Sequence, residues 1–173
     1  GEVGRRNSAG VGTGVYKSLD GGNSWKHLGL ESTGAIASVL LHPTNPEVAY
    51  VGALGNTWAE SPERGVYKTT DGGKSWDKVL FISDRTGAID LSMNPKNPRQ
   101  IYAAMWRVER KPWTLIDGGE EGGLYLSVDG GDEWKKLQGG LPEGEVGRIG
   151  VSVSPANPHR VYALVTAKDD AGG

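Results

Sequence analysis

A short motif that occurs three times, at nearly even intervals, constrains this chain more than any other feature. Each copy reads Ser/Thr-x-Asp-Gly-Gly-x-x-Trp. A regular period has to be recognised before single strands are assigned, because every unit of a repeat array has the same supersecondary structure. The repeated aspartates and tryptophans are Asp20 and Trp25, Asp71 and Trp76, and Asp129 and Trp134.

The residues around each motif predict a β-hairpin. An apolar run such as Gly65-Val66-Tyr67-Lys68 precedes the motif, and a second run begins at its tryptophan. The two glycines supply positive φ angles without a Cβ clash. We expect the aspartate to accept hydrogen bonds from turn amides and the tryptophan to cover the hairpin. The six motif residues are therefore predicted to be structural, since their spacing does not match a calcium loop.

A second hairpin repeats in the same way. Its turn is Pro-x-Asn-Pro, at residues 43–46, 95–98 and 155–158. Apolar residues alternate before each turn, as in the run 89–93, and a period of two indicates a strand. Each unit then has four strands, A to D. The Pro-x-Asn-Pro turn joins A to B, and the Asp-Gly-Gly turn joins C to D.

Four-stranded antiparallel units that repeat in this way are the blades of a β-propeller. The predicted fold class is therefore all-β, a propeller fragment of about three blade equivalents. We expect residues 1–30 to hold strands C and D of one blade, 33–81 and 86–138 to be full blades, and 145–166 to hold strands A and B of the next. Three blades do not close a ring. The expected structural partners are further blades of a longer protein or a second copy of the chain.

Composition excludes several functional classes. A net charge of -2 and a pI of about 5.9 leave no basic patch and argue against nucleic acid as a partner. No apolar run approaches the ~18 residues that a membrane-spanning helix needs. The chain has no cysteine, which excludes disulfides and thiol chemistry. Its three histidines are scattered, so we expect no metal site and no cofactor.

The Asp-Gly-Gly motifs resemble the Asp-box, also called the bacterial neuraminidase repeat. The whole chain looks like part of the sortilin N-terminal-like propellers of large bacterial proteins labelled "glycosyl hydrolase", and residues 65–73 and 141–145 look typical of that group. The third motif departs from the pattern, with Glu133 where Ser or Thr is usual. This resemblance implies an extracellular, periplasmic or envelope location. Asp-box propellers include sialidases, xyloglucan-cleaving enzymes, peptide receptors and a photosystem assembly factor, and the fold alone does not choose among them.

The tryptophans outside the motifs fall in the connections between strands B and C. These connections emerge on the face opposite the Asp-Gly-Gly turns, and binding residues concentrate on loops of this kind. Tryptophan beside arginine and carboxylates suits a sugar ring or a protein surface, although capping of the blade ends is an alternative interpretation. The candidate ligand- or partner-binding residues are Arg5, Arg6, Trp58, Arg64, Trp106, Arg107 and Trp113.

A glycosidase needs two carboxyl groups that flank the scissile bond. Asp90 interrupts an inner strand, where it is expected to face the central channel or a neighbouring blade, and Asp117 or Glu60 is its candidate catalytic partner. The competing interpretation is an aspartate that lines the channel, is solvated or is paired with an arginine, for which Arg148 is the candidate. All six tyrosines occupy repeat positions, so the segment has no spare tyrosine for a sialidase nucleophile.

Three functional hypotheses follow from these residues. The first is a non-catalytic binding or scaffold segment that recognises a protein, a peptide or a glycan through its B–C loops. The second is part of a glycoside hydrolase, closer to xyloglucan-cleaving enzymes than to sialidases. The third is an assembly factor or a subunit of a larger envelope complex.

Overall fold

The computed structural model describes residues 10–167, which form an all-β fold with one short 3-10 helix at Glu31–Thr33. These residues include no helix that is long and apolar enough to cross a membrane. In chain order the strands are β1 (Tyr16–Lys17), β2 (Lys26–His27), β3 (Ala35–Leu41), β4 (Ala49–Gly55), β5 (Gly65–Thr69), β6 (Asp77–Leu80), β7 (Thr86–Met93), β8 (Ile101–Lys111), β9 (Thr114–Asp117), β10 (Gly123–Ser127), β11 (Lys135–Lys136), β12 (Val146–Val153) and β13 (Val161–Ala167).

The strands form four antiparallel sheets that follow one another along the chain. Sheet I contains β1 and β2, and sheet II has the order β3-β4-β5-β6. Sheet III has the order β7-β8-β10-β11, with β9 paired to an extension of β8, and sheet IV contains β12 and β13. The predicted fold class, a β-propeller fragment of four-stranded units, is confirmed. The proposed division of the chain into blades stays a prediction.

The core lies between successive sheets. One apolar cluster joins Tyr50 and Val66 of sheet II to Leu91 and Ile101 of sheet III, and all four are buried. A second cluster continues from sheet III into sheet IV. Because a sheet buries its apolar face only against another layer, each sheet depends on its neighbours for stability.

The carboxylate of each Asp-Gly-Gly turn organises its own hairpin. In sheet II, Asp71 Oδ1 accepts hydrogen bonds from the amides of Lys74 and Ser75 at 2.9 and 3.0 Å. Asp71 Oδ2 accepts the Ser75 hydroxyl at 2.6 Å, and Oδ1 also accepts the Thr69 hydroxyl at 2.8 Å. The third motif keeps the two amide bonds, to Asp132 and Glu133, but Glu133 has no hydroxyl to donate.

These hydrogen bonds favour the ionised form of the turn aspartates. The Ser24 hydroxyl and amide, together with the Ser18 hydroxyl, lower the pKa of Asp20 to about 2. The equivalent bonds, led by the Ser75 hydroxyl, hold the pKa of Asp71 well below its usual value.

The same turns also contact the preceding sheet. The Trp76 indole N–H donates to Leu28 O of sheet I at 2.8 Å, and the Tyr50 hydroxyl of sheet II donates to Gly130 O in the turn of sheet III at 2.7 Å. Gly73 has a φ of 92°, and a Cβ at this position would lie only 2.5 Å from Leu28 Cδ1. Glycine is therefore required both for the turn and for the close approach of the sheets.

We expect Asp71→Asn to lower the melting temperature at neutral pH. The melting temperature of this variant should also fall less than that of the wild type when the pH is lowered. The pKa of Asp71 is lower in the folded chain than its unfolded value of about 3.8. Its contribution to stability is therefore complete above that value and is lost as the pH falls below it. Thermal melts followed by circular dichroism between about pH 7 and about pH 2 measure this difference.

The matched control is Asp77→Asn, an exposed aspartate of β6. Its melting curve should keep the pH dependence of the wild-type chain. Parallel pH curves for Asp71→Asn and the wild type would contradict the assignment.

Candidate functional site

The connections between the second and third strands of sheets II and III lie together at the end of the strands away from the Asp-Gly-Gly turns. We call this surface the loop face; it comprises residues 56–64, 83–85 and 106–122. The two connections touch directly, since the Arg110 amide donates to Thr57 O at 2.7 Å. The loop face therefore spans two sheets.

The structure corrects the predicted loop between strands B and C of sheet III. Strand β8 continues through Lys111 and turns at Pro112 and Trp113 into β9, so that Lys111 pairs with Thr114. Residues 106–109 alternate apolar and charged side chains, and this period of two extends the strand. Most of the expected loop is a protruding hairpin.

Two indoles are accessible on the loop face, one from each connection. Trp113 is 81% exposed at the hairpin tip, and Trp58 is 41% exposed. The guanidinium carbon of the buried Arg110 lies 5.9 Å from the centre of the Trp58 ring, within the range of a cation–π contact. Arg110 precedes Trp113 by three residues, about 10 Å along a strand. Each ring therefore exposes apolar surface beside charged groups of the loop face.

The prediction that Trp106 contacts a ligand is wrong. Its side chain is only 2% exposed and lies in the core cluster with Leu54 and Ile149. Its indole N–H donates to Asp117 Oδ1 at 2.9 Å. Because strand β8 is longer than expected, Trp106 faces the core, and the candidate acid Asp117 serves as its hydrogen-bond acceptor.

Arg64 is also corrected, since it is fully buried instead of exposed to a ligand. Its guanidinium donates to Asn56 O at 2.8 Å, to Arg85 O at 2.9 Å and to Val108 O at 3.0 Å. Burial lowers the pKa of Arg64 to about 10, an effect that nearby Glu109 opposes. The side chain stays charged at neutral pH and joins three separate segments under the loop face.

The candidate acid Glu60 is paired with an arginine. Its Oε1 accepts hydrogen bonds from Arg85 Nε at 2.8 Å and Nη2 at 2.5 Å, and both side chains are about half exposed. The hydrogen bond and the charge of Glu60 raise the pKa of Arg85. Glu60 is therefore a hydrogen-bond acceptor for Arg85 at this surface.

Arg107 lies between two carboxylates that are held in their ionised form. The Ser83 and Thr86 hydroxyls donate to Glu121 Oε2 at 2.6 and 2.9 Å and lower the pKa of Glu121. A hydrogen bond from Lys111 lowers the pKa of Glu109, and the charge of Arg107 lowers both pKa values further. These interactions favour the ionised, hydrogen-bond-accepting form of both side chains.

Asp90 contacts the neighbouring sheet, as one of the two alternatives predicted. Its Oδ2 accepts the Val151 amide of β12 at 2.9 Å, and its Oδ1 accepts the Leu91 amide at 2.9 Å. The expected partner Arg148 has instead an exposed side chain. Asp90 therefore holds the inner strands β7 and β12 together.

The candidate catalytic carboxyls do not form a pair. Asp90 lies opposite Ala104 on β8, whereas Asp117 lies opposite Val108. Four residues along a strand correspond to about 13 Å, beyond the separation that either glycosidase mechanism uses. Glu60 binds Arg85, which precedes β7, so it is also remote from Asp90.

The candidate binding residues Arg5 and Arg6 lie outside the described residues. Arg85, Arg110 and Glu109 contribute to the loop face and were not among the candidate site residues. The alternation in residues 106–109 was an available signal for Glu109.

The stacked four-stranded sheets, the Asp-Gly-Gly hairpins and the aromatic loop face together define a class, the propeller segments of Asp-box type. The chain belongs to the Sortilin-Vps10 family, whose model, described as "Sortilin, neurotensin receptor 3", matches residues 13–170. This assignment confirms the resemblance inferred from the repeats.

Two kinds of protein, a xyloglucanase and an assembly lipoprotein, are similar in sequence to this chain. A xyloglucanase of Hypocrea jecorina is 28% identical over 89% of this chain, and the photosystem II assembly lipoprotein Ycf48 of a Nostoc species is 26% identical over 70%. The chain spans only 16% of the first protein and 41% of the second.

Solved structures support the fold. An ancestral GH74 enzyme superposes with a TM-score of 0.67 at 22% identity, covering 87% of this chain and 19% of the enzyme. The GH74 xyloglucanase of Xanthomonas campestris superposes with a TM-score of 0.66 at 16% identity, covering 92% of this chain and 24% of the enzyme.

We expect Arg64→Met to lower the free energy of unfolding by about 2–4 kcal/mol, because it leaves three carbonyls of the loop face without their donor. Arg64→Lys should restore little of the lost free energy of unfolding, since one ammonium cannot replace the planar guanidinium. Urea unfolding followed by circular dichroism measures both changes. Arg107→Met is the control and should change stability by about 0.5 kcal/mol or less. An equal effect of the two Met variants would contradict the assignment.

We expect Asp90→Ala to lower the free energy of unfolding by about 1–3 kcal/mol, since two amides lose their acceptor. Asp90→Asn keeps an acceptor oxygen and should lose less. Ser92→Ala is the matched control, because Ser92 accepts only the Val153 amide, at 3.0 Å. Urea unfolding of the three variants should give the order Asp90→Ala, Ser92→Ala and Asp90→Asn, from largest to smallest loss. If Asp90→Ala were as stable as the wild type, Asp90 would not hold β7 and β12 together.

Proposed function

We propose that this chain is a non-catalytic binding segment of a β-propeller and that its loop face holds a glycan. The observation that carries this proposal is the Trp113 indole, which is 81% exposed at the tip of an ordered hairpin. An exposed apolar ring costs hydration free energy in the free protein, and a ligand that stacks on it recovers that cost. The C–H faces of sugar rings provide such a surface.

Hydrogen bonds at the base of the hairpin favour ligand binding without rearrangement of the loop face. Arg64 donates to Val108 O in β8 and to Asn56 O in the neighbouring connection, while the Arg110 amide donates to Thr57 O. These bonds fix the protruding hairpin to sheet II. A binding surface that is already ordered loses less conformational entropy when its ligand binds.

Charged groups around the indoles complete a surface suited to hydroxyl groups. Glu60 and Glu109 accept hydrogen bonds from Arg85 and Lys111, and Arg107 supplies donors on the same face. We assign direct ligand contacts to Trp58, Trp113 and Arg107. A protein or peptide can use the same anchors, since tryptophan and arginine are common at interfaces.

The second candidate function is that of a segment of a glycoside hydrolase. It is favoured by the similarity to proteins named xyloglucanase, which covers 89% of this chain in one case. Against a complete catalytic site within residues 10–167 stand the lowered pKa values of Glu109 and Glu121 and the wide separation of Asp90 from Asp117. In this alternative, the chain contributes substrate-binding residues to acids located elsewhere.

A role in the assembly of a protein complex is the third candidate. It is favoured by the similarity to an assembly lipoprotein over 70% of this chain. For each of the three candidates we propose an extracellular or cell-envelope location.

We expect Trp113→Ala to weaken glycan binding at least about tenfold, which corresponds to about 1.4 kcal/mol of lost stacking. Trp58→Ala should weaken it as well. Affinity electrophoresis of the folded chain in gels that contain xyloglucan, mixed-linkage β-glucan or chitin derivatives measures retardation by each polysaccharide.

The control is Val128→Ala, which removes an apolar side chain that is 64% exposed in an Asp-Gly-Gly turn on the opposite face. Its retardation should equal that of the wild type. If Trp113→Ala and the wild type were retarded equally, the hairpin would not be part of the glycan-binding site. No retardation of the wild type by any polysaccharide would exclude glycan binding and leave a protein partner.

A further inference from the structure

The acidic and basic side chains of the loop face are not in balance. Residues 56–64, 83–85 and 106–122 carry seven acidic and five basic side chains, a formal net charge of -2. The whole chain has the same formal charge of -2, so its other residues are neutral overall. The excess negative charge of the chain therefore belongs to the surface that carries Trp58 and Trp113.

Burial makes this imbalance larger at the surface itself. Arg64 is fully buried and donates to backbone carbonyls, and Arg110 is only 9% exposed, with its guanidinium beside the Trp58 ring. Glu120 and Glu121 are exposed in contrast. Two positive charges thus lie beneath the loop face, and a ligand on that face meets mainly carboxylates.

The basic side chains that do reach the surface lie beside carboxylates. Arg85 forms an ion pair with Glu60, in which both side chains are about half exposed. Lys111 at the hairpin forms an ion pair with Glu109. An anionic ligand would have to displace a glutamate from either of these cations before it could pair with the cation.

Arg107 is compensated by two carboxylates. Hydrogen bonds lower the pKa of Glu109 and of Glu121, and the charge of Arg107 lowers both pKa values further. The stem of Arg107 packs against Gly119, where a Cβ would lie only 2.5 Å from Arg107 Cδ. Arg107 therefore offers hydrogen-bond donors to a ligand, while its charge is already balanced within the loop face.

The segment that borders the loop face adds further negative charge. Val146 pairs with Gly119, and this bridge places the residues before β12 beside the connection that leads from β9 to β10. Glu143, Glu145 and Arg148 are exposed in this bordering segment. Two acids and one base at this border extend the negative surface.

We propose that the loop face selects glycans without anionic groups and excludes polysaccharides that contain uronic acids. This inference rests on the glycan-binding function proposed above and names its ligand class more closely. The hydroxyl groups of a neutral sugar can donate to the exposed carboxylates and accept from Arg107. A sugar carboxylate would meet like charges instead, and such repulsion excludes wrong partners from an interface.

The test compares neutral polysaccharides with acidic forms of the same chains. Xyloglucan, mixed-linkage β-glucan and water-soluble chitin are each used unmodified and after oxidation of their primary hydroxyl groups to carboxylates. Isothermal titration calorimetry with the folded chain measures the dissociation constants. At about 0.02 M salt we expect an acidic form to bind at least about tenfold more weakly than its neutral parent. At about 0.5 M salt this ratio should shrink, because charges are then screened beyond about 4 Å.

A charge variant tests the assigned cause. Glu60→Gln releases Arg85 from its ion pair and should reduce the ratio of the two dissociation constants about threefold to fivefold at low salt. The double variant Glu60→Gln with Arg85→Gln removes the released charge as well and should restore the wild-type ratio. Glu133→Gln is the matched control, because it removes an exposed carboxylate from an Asp-Gly-Gly turn on the opposite face. Its ratio should equal that of the wild type.

Each outcome decides a separate point. Equal or tighter binding of the acidic forms would overturn the inference, while glycan binding by the loop face would stand. A wild-type ratio in Glu60→Gln, or an equal reduction of the ratio in Glu60→Gln and Glu133→Gln, would overturn the assigned role of the paired charges. If the chain bound none of these polysaccharides in either form, the proposed glycan-binding function would fail, and this inference would fail with it.

Discussion

The structure depends on the contact between each Asp-Gly-Gly turn and the sheet that precedes it. The aspartate fixes the turn, and the turn places Gly73 where any side chain would collide with Leu28. The Tyr50 hydroxyl and the Trp76 indole then bind the turns across the sheet boundary. Since these contacts fix one sheet relative to the next, they also determine where the loops at the far end of the strands meet.

At that far end a buried guanidinium has the corresponding role. Taking the Arg64 charge out of water is costly, and the carbonyls of Asn56, Arg85 and Val108 offset the cost. These carbonyls come from three segments that are distant in sequence. The exposed indoles of Trp58 and Trp113 thus lie on a surface that rests on buried, specific hydrogen bonds.

The sequence predicts what repeats and fails where the chain does not repeat. Three copies of the Asp-Gly-Gly and Pro-x-Asn-Pro turns identify the four-stranded units and the propeller, because each copy checks the others. The loop face has no second copy for comparison. Burial of Arg64 follows from contacts with residues 85 and 108, which no local pattern reveals. Trp106 is different, because the alternation in residues 106–109 already marked it as a strand residue facing the core.

The groups that order the loop face also favour the ionised form of a carboxylate within it. Hydrogen bonds from Ser83 and Thr86 stabilise ionised Glu121, and Arg107 adds a positive charge beside it. Such a carboxylate accepts hydrogen bonds from hydroxyl groups but has no proton to give to a leaving oxygen at neutral pH. The hydrogen bonds that order this part of the surface therefore also keep Glu121 a hydrogen-bond acceptor.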